Sequence, residues 1–137
     1  MQTNRSYLVW LNTARIYNDV LKQSNDQLKR SGMSTSHFDC MNQIDLHPGC
    51  TQNELSELMF VTKGNITHLL KKLETEGLIE RSQEWKEKHI RLTSKGKALL
   101  ENLRPKQITL QESIFGSLSQ DEQKQLLKLL RKIKNKG

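Results

Sequence analysis

The stretch from Thr51 to Thr93 leaves this chain the least freedom, because it reads in order as a helix start, a short turn, a second helix, a glycine stop and two strand-like runs around a charged loop. Thr51-Gln-Asn-Glu54 is a capping box, in which the Thr hydroxyl accepts the Glu54 amide and the Glu54 carboxylate reaches back. Leu55, Leu58 and Met59 then form the inward stripe of a short helix. Phe60 and Val61 are expected to fill the turn between two crossing helices, and Thr62 to cap the second. Within that helix Ile66, Leu69, Leu70 and Leu73 recur at i, i+3, i+4 and i+7, the spacing of one buried face. The opposite face carries Gly64, Thr67, His68, Lys71 and Thr75, with Lys63, Asn65 and Lys72 at its edges, and holds no acid before Glu74. Glu76-Gly77 ends the helix, since glycine takes the left-handed conformation past a last turn without a Cβ penalty.

After the glycine, Leu78–Ser82 and His89–Thr93 are β-capable and pair as a hairpin across Gln83-Glu84-Trp85-Lys86-Glu87-Lys88. A loop of that length and charge, without Asn-Gly, is expected to project. Helix, turn, helix and charged hairpin together make a winged helix-turn-helix. The fold class is therefore mainly α (α+β), a winged core between long terminal helices. The expected divisions are an N-terminal helix at 1–32, a winged helix-turn-helix domain at 33–93 (second helix 62–76, wing 78–93) and C-terminal helices at 94–137.

The flanks support that division. From about Asn4 to Arg30 one helix carries two apolar stripes, Tyr7, Trp10, Leu11, Ala14, Tyr17, Leu21 and Leu28 on one and Val9, Ile16 and Val20 on the other. Two stripes need two surfaces, one in this chain and one in a second subunit. A helix capped at Ser34 or Thr35 should turn Phe38, Met41, Ile44 and Leu46 inward before His47-Pro48-Gly49 stops it. Past the wing, a helix from Ser94 to about Ser117 should kink or break at Pro105. A second capping box, Ser119 to Glu122, opens a last helix with Leu126, Leu127, Leu129, Leu130 and Ile133. Its basic end, Lys128 to Lys136, suits the negative end of the helix dipole.

Charge narrows the partner. Lys and Arg number 22 against 15 acids, a net charge of +7, which favours an anionic partner, nucleic acid ahead of a membrane surface. No apolar run reaches the ~20 residues of a membrane span and no signal-peptide pattern opens the chain, so a cytoplasmic location is expected. Two cysteines, Cys40 and Cys50, make no disulfide framework. No phosphate loop, nucleophile motif or close acid pair points to an enzyme, and no motif calls for a cofactor. His37-x-x-Cys40 and His47-x-x-Cys50 have ligand-like spacing, but a helix end separates them and no metal is assigned.

On this reading the second helix enters the major groove of double-stranded DNA. Thr62, Lys63, Gly64, Asn65, Thr67 and His68 would meet base edges, Asn65 pairing with adenine and Lys63 donating to guanine. Lys71, Lys72, Thr51 and Gln52 would hold phosphates, and Arg81, Lys86, Lys88 and Arg91 on the wing would add electrostatic and minor-groove contact. The competing class is a winged helix that docks an acidic protein, or an anti-regulator that binds no DNA.

The ordered set Thr51, Glu54-Leu55, Ile66-Thr67-His68, Leu73-Glu74, Gly77-Leu78-Ile79-x-Arg81 and Leu92-Thr93-x-x-Gly96 resembles the multiple antibiotic resistance regulator (MarR) family of bacterial transcription factors. Where that family's wing usually carries Asp-x-Arg, this chain has Glu84-Trp85-Lys86, so Lys86 keeps the charge without the planar fork of Arg. The resemblance implies DNA binding for 33–93, with 62–76 as the recognition helix, and dimerisation for 1–32 and 94–137. The regulator it implies is homodimeric and expected to be a repressor on a pseudo-palindromic operator. It implies as well a small aromatic effector in the crevice between dimer helices and winged domain, for which Tyr7, Trp10, Tyr17, His37 and Phe38 are candidate lining residues. Some relatives sense oxidants by cysteine, which makes Cys40 and Cys50 redox candidates; for Cys40 a buried structural role is the better expectation.

Overall fold

The computed structural model describes residues 4–59 and 65–135. The elements run α1 (Arg5–Lys29), α2 (Thr35–Leu46), α3 (Gln52–Leu58), α4 (Ile66–Thr75), β1 (Ile79–Glu84), β2 (Glu87–Leu92), α5 (Ser94–Phe115) and α6 (Gln120–Lys134). This is the mainly helical winged architecture expected from the sequence.

Side-chain caps set most of the helix starts. Asn4 accepts from the Ser6 amide, Thr93 from that of Gly96, and full capping boxes form at Ser34 with His37, Thr51 with Glu54 and Ser119 with Glu122. Each satisfies an amide that a helix otherwise leaves without a partner. The second helix of the pair is capped by Asn65, whose Oδ1 accepts the His68 amide at 3.0 Å. The described helix begins at Ile66. Phe60, Val61, Thr62, Lys63 and Gly64 lie outside the described residues.

The core sits beneath α2. Cys40, Met41 and Ile44 from α2 meet Leu55 of α3, Leu70 and Leu73 of α4, Ile90 of β2, and Leu100 of α5, all at most 1% exposed. Leu58 is half-buried. Leu46 does not join this core and is 62% exposed, because two residues beyond Ile44 a helix has turned about 200°. Polar ties fix the remaining helices. Thr35 donates from its amide and hydroxyl to Asn25 Oδ1, Gln107 donates to Gln27 at 2.7 Å, and the Arg104 guanidinium spans Asn42 and Asp45.

Two expectations change. The hairpin zips two rungs further than Ser82 and His89, through Gln83–Lys88 to Glu84–Glu87, leaving only Trp85 and Lys86 as the turn. Glu84 reaches back to Arg91 at 3.6 Å, an opposite charge across the strands, and its carboxylate stands 3.7 Å from the His89 ring, in what looked like an open charged loop. Helix α5 runs through Pro105 without a break. Proline removes one backbone donor, and buried Leu103 and Gln107 together with the Arg104 ties hold the helix on both sides of it.

The last helix stands apart: α6 buries none of its residues, and Leu127, Leu129, Leu130 and Ile133 are 46 to 67% exposed. In α1 the split runs along the axis. Ser24 and Leu28 are buried, whereas Tyr7, Val9, Trp10, Ile16 and Tyr17 are about half exposed or more.

Candidate nucleic-acid interface

Helix α4 divides into two faces. Leu70 and Leu73 are fully buried and Ile66 and Leu69 pack against the core, while Asn65, Thr67, His68, Lys71, Glu74 and Thr75 face solvent. The outward residues are hydrogen-bonding or basic over the first two turns, with the positive end of the helix dipole behind them.

Several expected contacts turn out to be engaged internally. The Thr51 hydroxyl is committed to Glu54. Gln52 Nε2 donates to Thr67 Oγ1 at 2.9 Å, tying the start of α3 to the outward face of α4. Lys72 Nζ donates to the Gly32 carbonyl at 2.9 Å, across the joint between α1 and α2. Arg81, half-buried, faces Glu74 at 3.6 Å, and its Nε is buried without a hydrogen-bond partner. Arg91 pairs with Glu84 and lies over Gly49, where an added Cβ would stand 2.9 Å from its Nη2. Asn65 keeps its place on the outer face, but the oxygen needed to pair bidentately with adenine is the one that caps the helix. His68, Lys71, Lys86 and Lys88 remain exposed. Thr62, Lys63 and Gly64 lie outside the described residues.

These bonds make α4 part of a braced unit. Gln52–Thr67 holds its front, Lys72–Gly32 its flank and Arg81–Glu74 its far end. The base of the wing is held to the α2–α3 joint by the Ile90 amide, which donates to the Cys50 carbonyl, by the Gly49 amide, which donates to the Ile90 carbonyl, and by His89 Nδ1 at 2.7 Å from the Gly49 carbonyl oxygen. His89 is a positioning group that the sequence did not single out. Its only signal there is an isolated histidine in an alternating strand.

The candidate effector residues do not converge within one chain. Asn25 of α1 meets Thr35 at the start of α2, and Tyr7 lies some 18 residues earlier on the same helix, about 27 Å away at 1.5 Å per residue. Tyr7 and Trp10 pair with each other, ring centroids 6.1 Å apart. His37 is held by Ser34, with Nδ1 at 2.7 Å from the hydroxyl, and burial, then Lys72, lowers its pKa. Phe38 is half-buried against the core. A groove of ≈ 570 Å³ that the sequence did not flag opens between α5 and α6, lined by Gln111, Phe115, Gln123, Leu126, Leu127 and Leu130 among others.

Both cysteines are buried, and burial is the main cause that raises each thiol's pKa, Cys40 to about 12. A thiol held protonated is a poor nucleophile toward oxidants. Among the described residues no helix is long and apolar enough to cross a membrane.

Comparison with known proteins agrees with this geometry. Residues 31–84 match the profile of the MarR family. An HTH-type transcriptional regulator of Bacillus cereus (strain ATCC 10987 / NRS 248) is 42% identical over 127 residues, covering 92% of this chain and 86% of that protein. The fold is shared with a MarR family transcriptional regulator from Silicibacter pomeroyi, at 24% identity and TM-score 0.83 over 96% of each chain. It is shared too with BpsR of Bordetella bronchiseptica, whose DNA binding is regulated by 6-hydroxynicotinic acid, at 20% identity and TM-score 0.84 over 96% of this chain and 98% of that one.

Proposed function

The chain belongs to the MarR family of DNA-binding transcriptional regulators, and from that premise we propose that it is a homodimeric repressor of a pseudo-palindromic operator, acting in the bacterial cytoplasm. The observation that carries this reading is α4, with its apolar side sunk in the core and a polar, basic face turned outward. Residues 33–93 form the reading unit. Segments 1–32 and 94–137 form the dimer region, which accounts for the exposed apolar sides of α1 and α6.

In such a dimer the two α4 helices enter successive major grooves about 34–36 Å apart. Lys63, Asn65, Thr67 and His68, with Thr62 and Gly64 beside them, meet base edges, and Lys71 holds phosphate. Lys72, Arg81 and Arg91 act first as braces, and contact DNA only through the charge that their internal bonds leave exposed. A small aromatic effector is the proposed releasing signal, by analogy with BpsR. Tyr7 and Trp10 join Tyr17, His37 and Phe38 around such a ligand only if α1 of a second chain supplies them, so the pocket belongs to the dimer. Release by oxidation of Cys40 or Cys50 lacks support, since both thiols are buried and held protonated.

The test is selection of genomic fragments by the purified protein, followed by gel shifts of the enriched duplex across salt concentrations. A site with two-fold symmetry whose affinity falls steeply with salt supports the reading. No retention of any duplex at about 50 mM salt, where counterion release favours binding most, refutes it and leaves the protein-docking winged helix in its place.

A further inference from the structure

The tip of the wing carries a residue that neither the hairpin nor the core requires. Trp85 has φ of 59°, the one non-glycine with positive φ among the described residues, and is 95% exposed. Positive φ at only the first of two central turn residues is the sign pattern of a type II′ turn, where glycine is the usual occupant. A bulky side chain there is strained, and an indole in solvent regains nothing by burial. Gln83 Nε2 donates to the Trp85 carbonyl at 3.0 Å and holds the turn as it is.

Charge does not explain the tip either. Residues 79–92 contain four basic residues against three acidic ones. Arg81 and Arg91 face Glu74 and Glu84, and Glu87 stands between Lys86 and Lys88 in the chain. This wing has little net charge with which to grip phosphate. Its ladder runs six residues from Ile79 to Glu84, about 17 Å at 3.4 Å per residue, and puts Trp85 at the outermost point.

We propose that Trp85 is a DNA contact, its indole entering the minor groove beside the bound recognition helix and wedging against a base step. The inference rests on the DNA-binding reading above. The minor groove is about 6 Å wide, enough for a flat ring entering by its edge, and apolar wedges at base steps are an established way for proteins to hold that groove. A protein hot spot fits less well, because the neighbours Glu84, Lys86 and Glu87 are charged and exposed, whereas such anchors sit within a ring of contacts that excludes water. The contact adds affinity without charge, and it favours operators with an easily unstacked pyrimidine–purine step where the wing lands.

The experiment compares wild type, Trp85→Phe and Trp85→Gly on the enriched duplex, by gel shift over a salt series and by tryptophan emission. Trp85→Gly relieves the turn, so it should unfold at the wild-type urea midpoint or above, and its binding defect is then not a folding defect. The expected result is about a tenfold to hundredfold loss of affinity in Trp85→Gly, near-retention in Trp85→Phe, and an unchanged salt slope in both. Emission quenched by DNA in wild type and not in Trp85→Phe assigns the contact to residue 85. Wild-type affinity in Trp85→Gly, with emission unmoved while wild type retains the duplex, overturns the proposal and leaves the DNA reading intact. Quenching by a protein partner but not by DNA overturns it as well. Failure of wild type to retain any duplex overturns both.

Discussion

Replacing Gly96 by alanine sets two physical effects against each other, and the structure decides the sign. Gly96 lies in the first turn of α5, its amide donating to the Thr93 cap at 3.1 Å. By helix propensity alone alanine there should stabilise the protein by about 1 kcal/mol. But a Cβ at this position would stand well inside van der Waals contact distance of the Leu78 carbonyl oxygen, 3.0 Å from its carbonyl carbon and 3.4 Å from its Cα. These are backbone atoms, so no side chain can swing aside. Leu78 is itself pinned, its side chain 2% exposed and its carbonyl accepting the Thr93 amide at 3.0 Å. Making room means sliding the start of α5 away from the joint between α4 and β1. Overpacking of this kind costs about 1–3 kcal/mol, and loosening the Thr93–Leu78 bond adds up to about 1 kcal/mol. Less the propensity gain, Gly96→Ala should lose about 2 kcal/mol.

The assay is urea unfolding followed by far-ultraviolet circular dichroism at one fixed protein concentration, since a dimer's apparent stability depends on it. With a slope of about 2 kcal/mol per molar, the midpoint should fall by about 1 M with the slope unchanged. Ala98→Gly, on the exposed side of the same helix, is the comparator and should lose only the propensity term of about 1 kcal/mol. A Gly96→Ala midpoint at or above wild type would mean that α5 and the wing base are not in contact through this glycine, and the packing described here would be wrong.

Asn65→Asp should separate capping from reading: aspartate caps as well as asparagine, so the unfolding midpoint holds, while operator affinity falls at least about tenfold because a carboxylate repels phosphate and offers no donor to adenine. Unchanged affinity would remove Asn65 from the reading face. Leu130→Lys, at a position 46% exposed in the single chain, should sediment as a folded monomer and weaken operator binding by more than about a hundredfold, since half of the site contacts are lost; a dimer of normal affinity would place the interface elsewhere. The Cys40 thiol is pushed up to about 12 from its ordinary value near 9, so the folded chain keeps a proton that the unfolded chain releases. That contribution to stability is whole below about pH 9 and is lost as pH rises toward 12. Wild type should therefore lose more stability than Cys40→Ala between about pH 8 and pH 10 by urea titration, and equal losses would show that Cys40 is not held protonated.

What could be read from the sequence was whatever depends on neighbours along the chain. The capping boxes at Thr51 and Ser119, the buried face of α4 and the glycine stop at Gly77 each need partners within a few residues, and each forms as expected. The site was less legible, because an exposed polar face and a polar face that bonds to its own protein have the same composition. Lys72 reaches Gly32 and Arg91 lies on Gly49, some forty residues away in both cases, and no periodicity encodes such a pairing. The wing shows this most sharply: its length and charge suggested an open loop, yet Glu84 found Arg91 and His89 across the ladder and drew it shut. That closure engages Arg91 with Glu84, and it leaves Trp85 and Lys86 as the turn. The local rule broken there is the preference for glycine at positive φ. A bulky residue at positive φ on the most exposed point of the wing is an outlier of the kind from which a hypothesis of function starts.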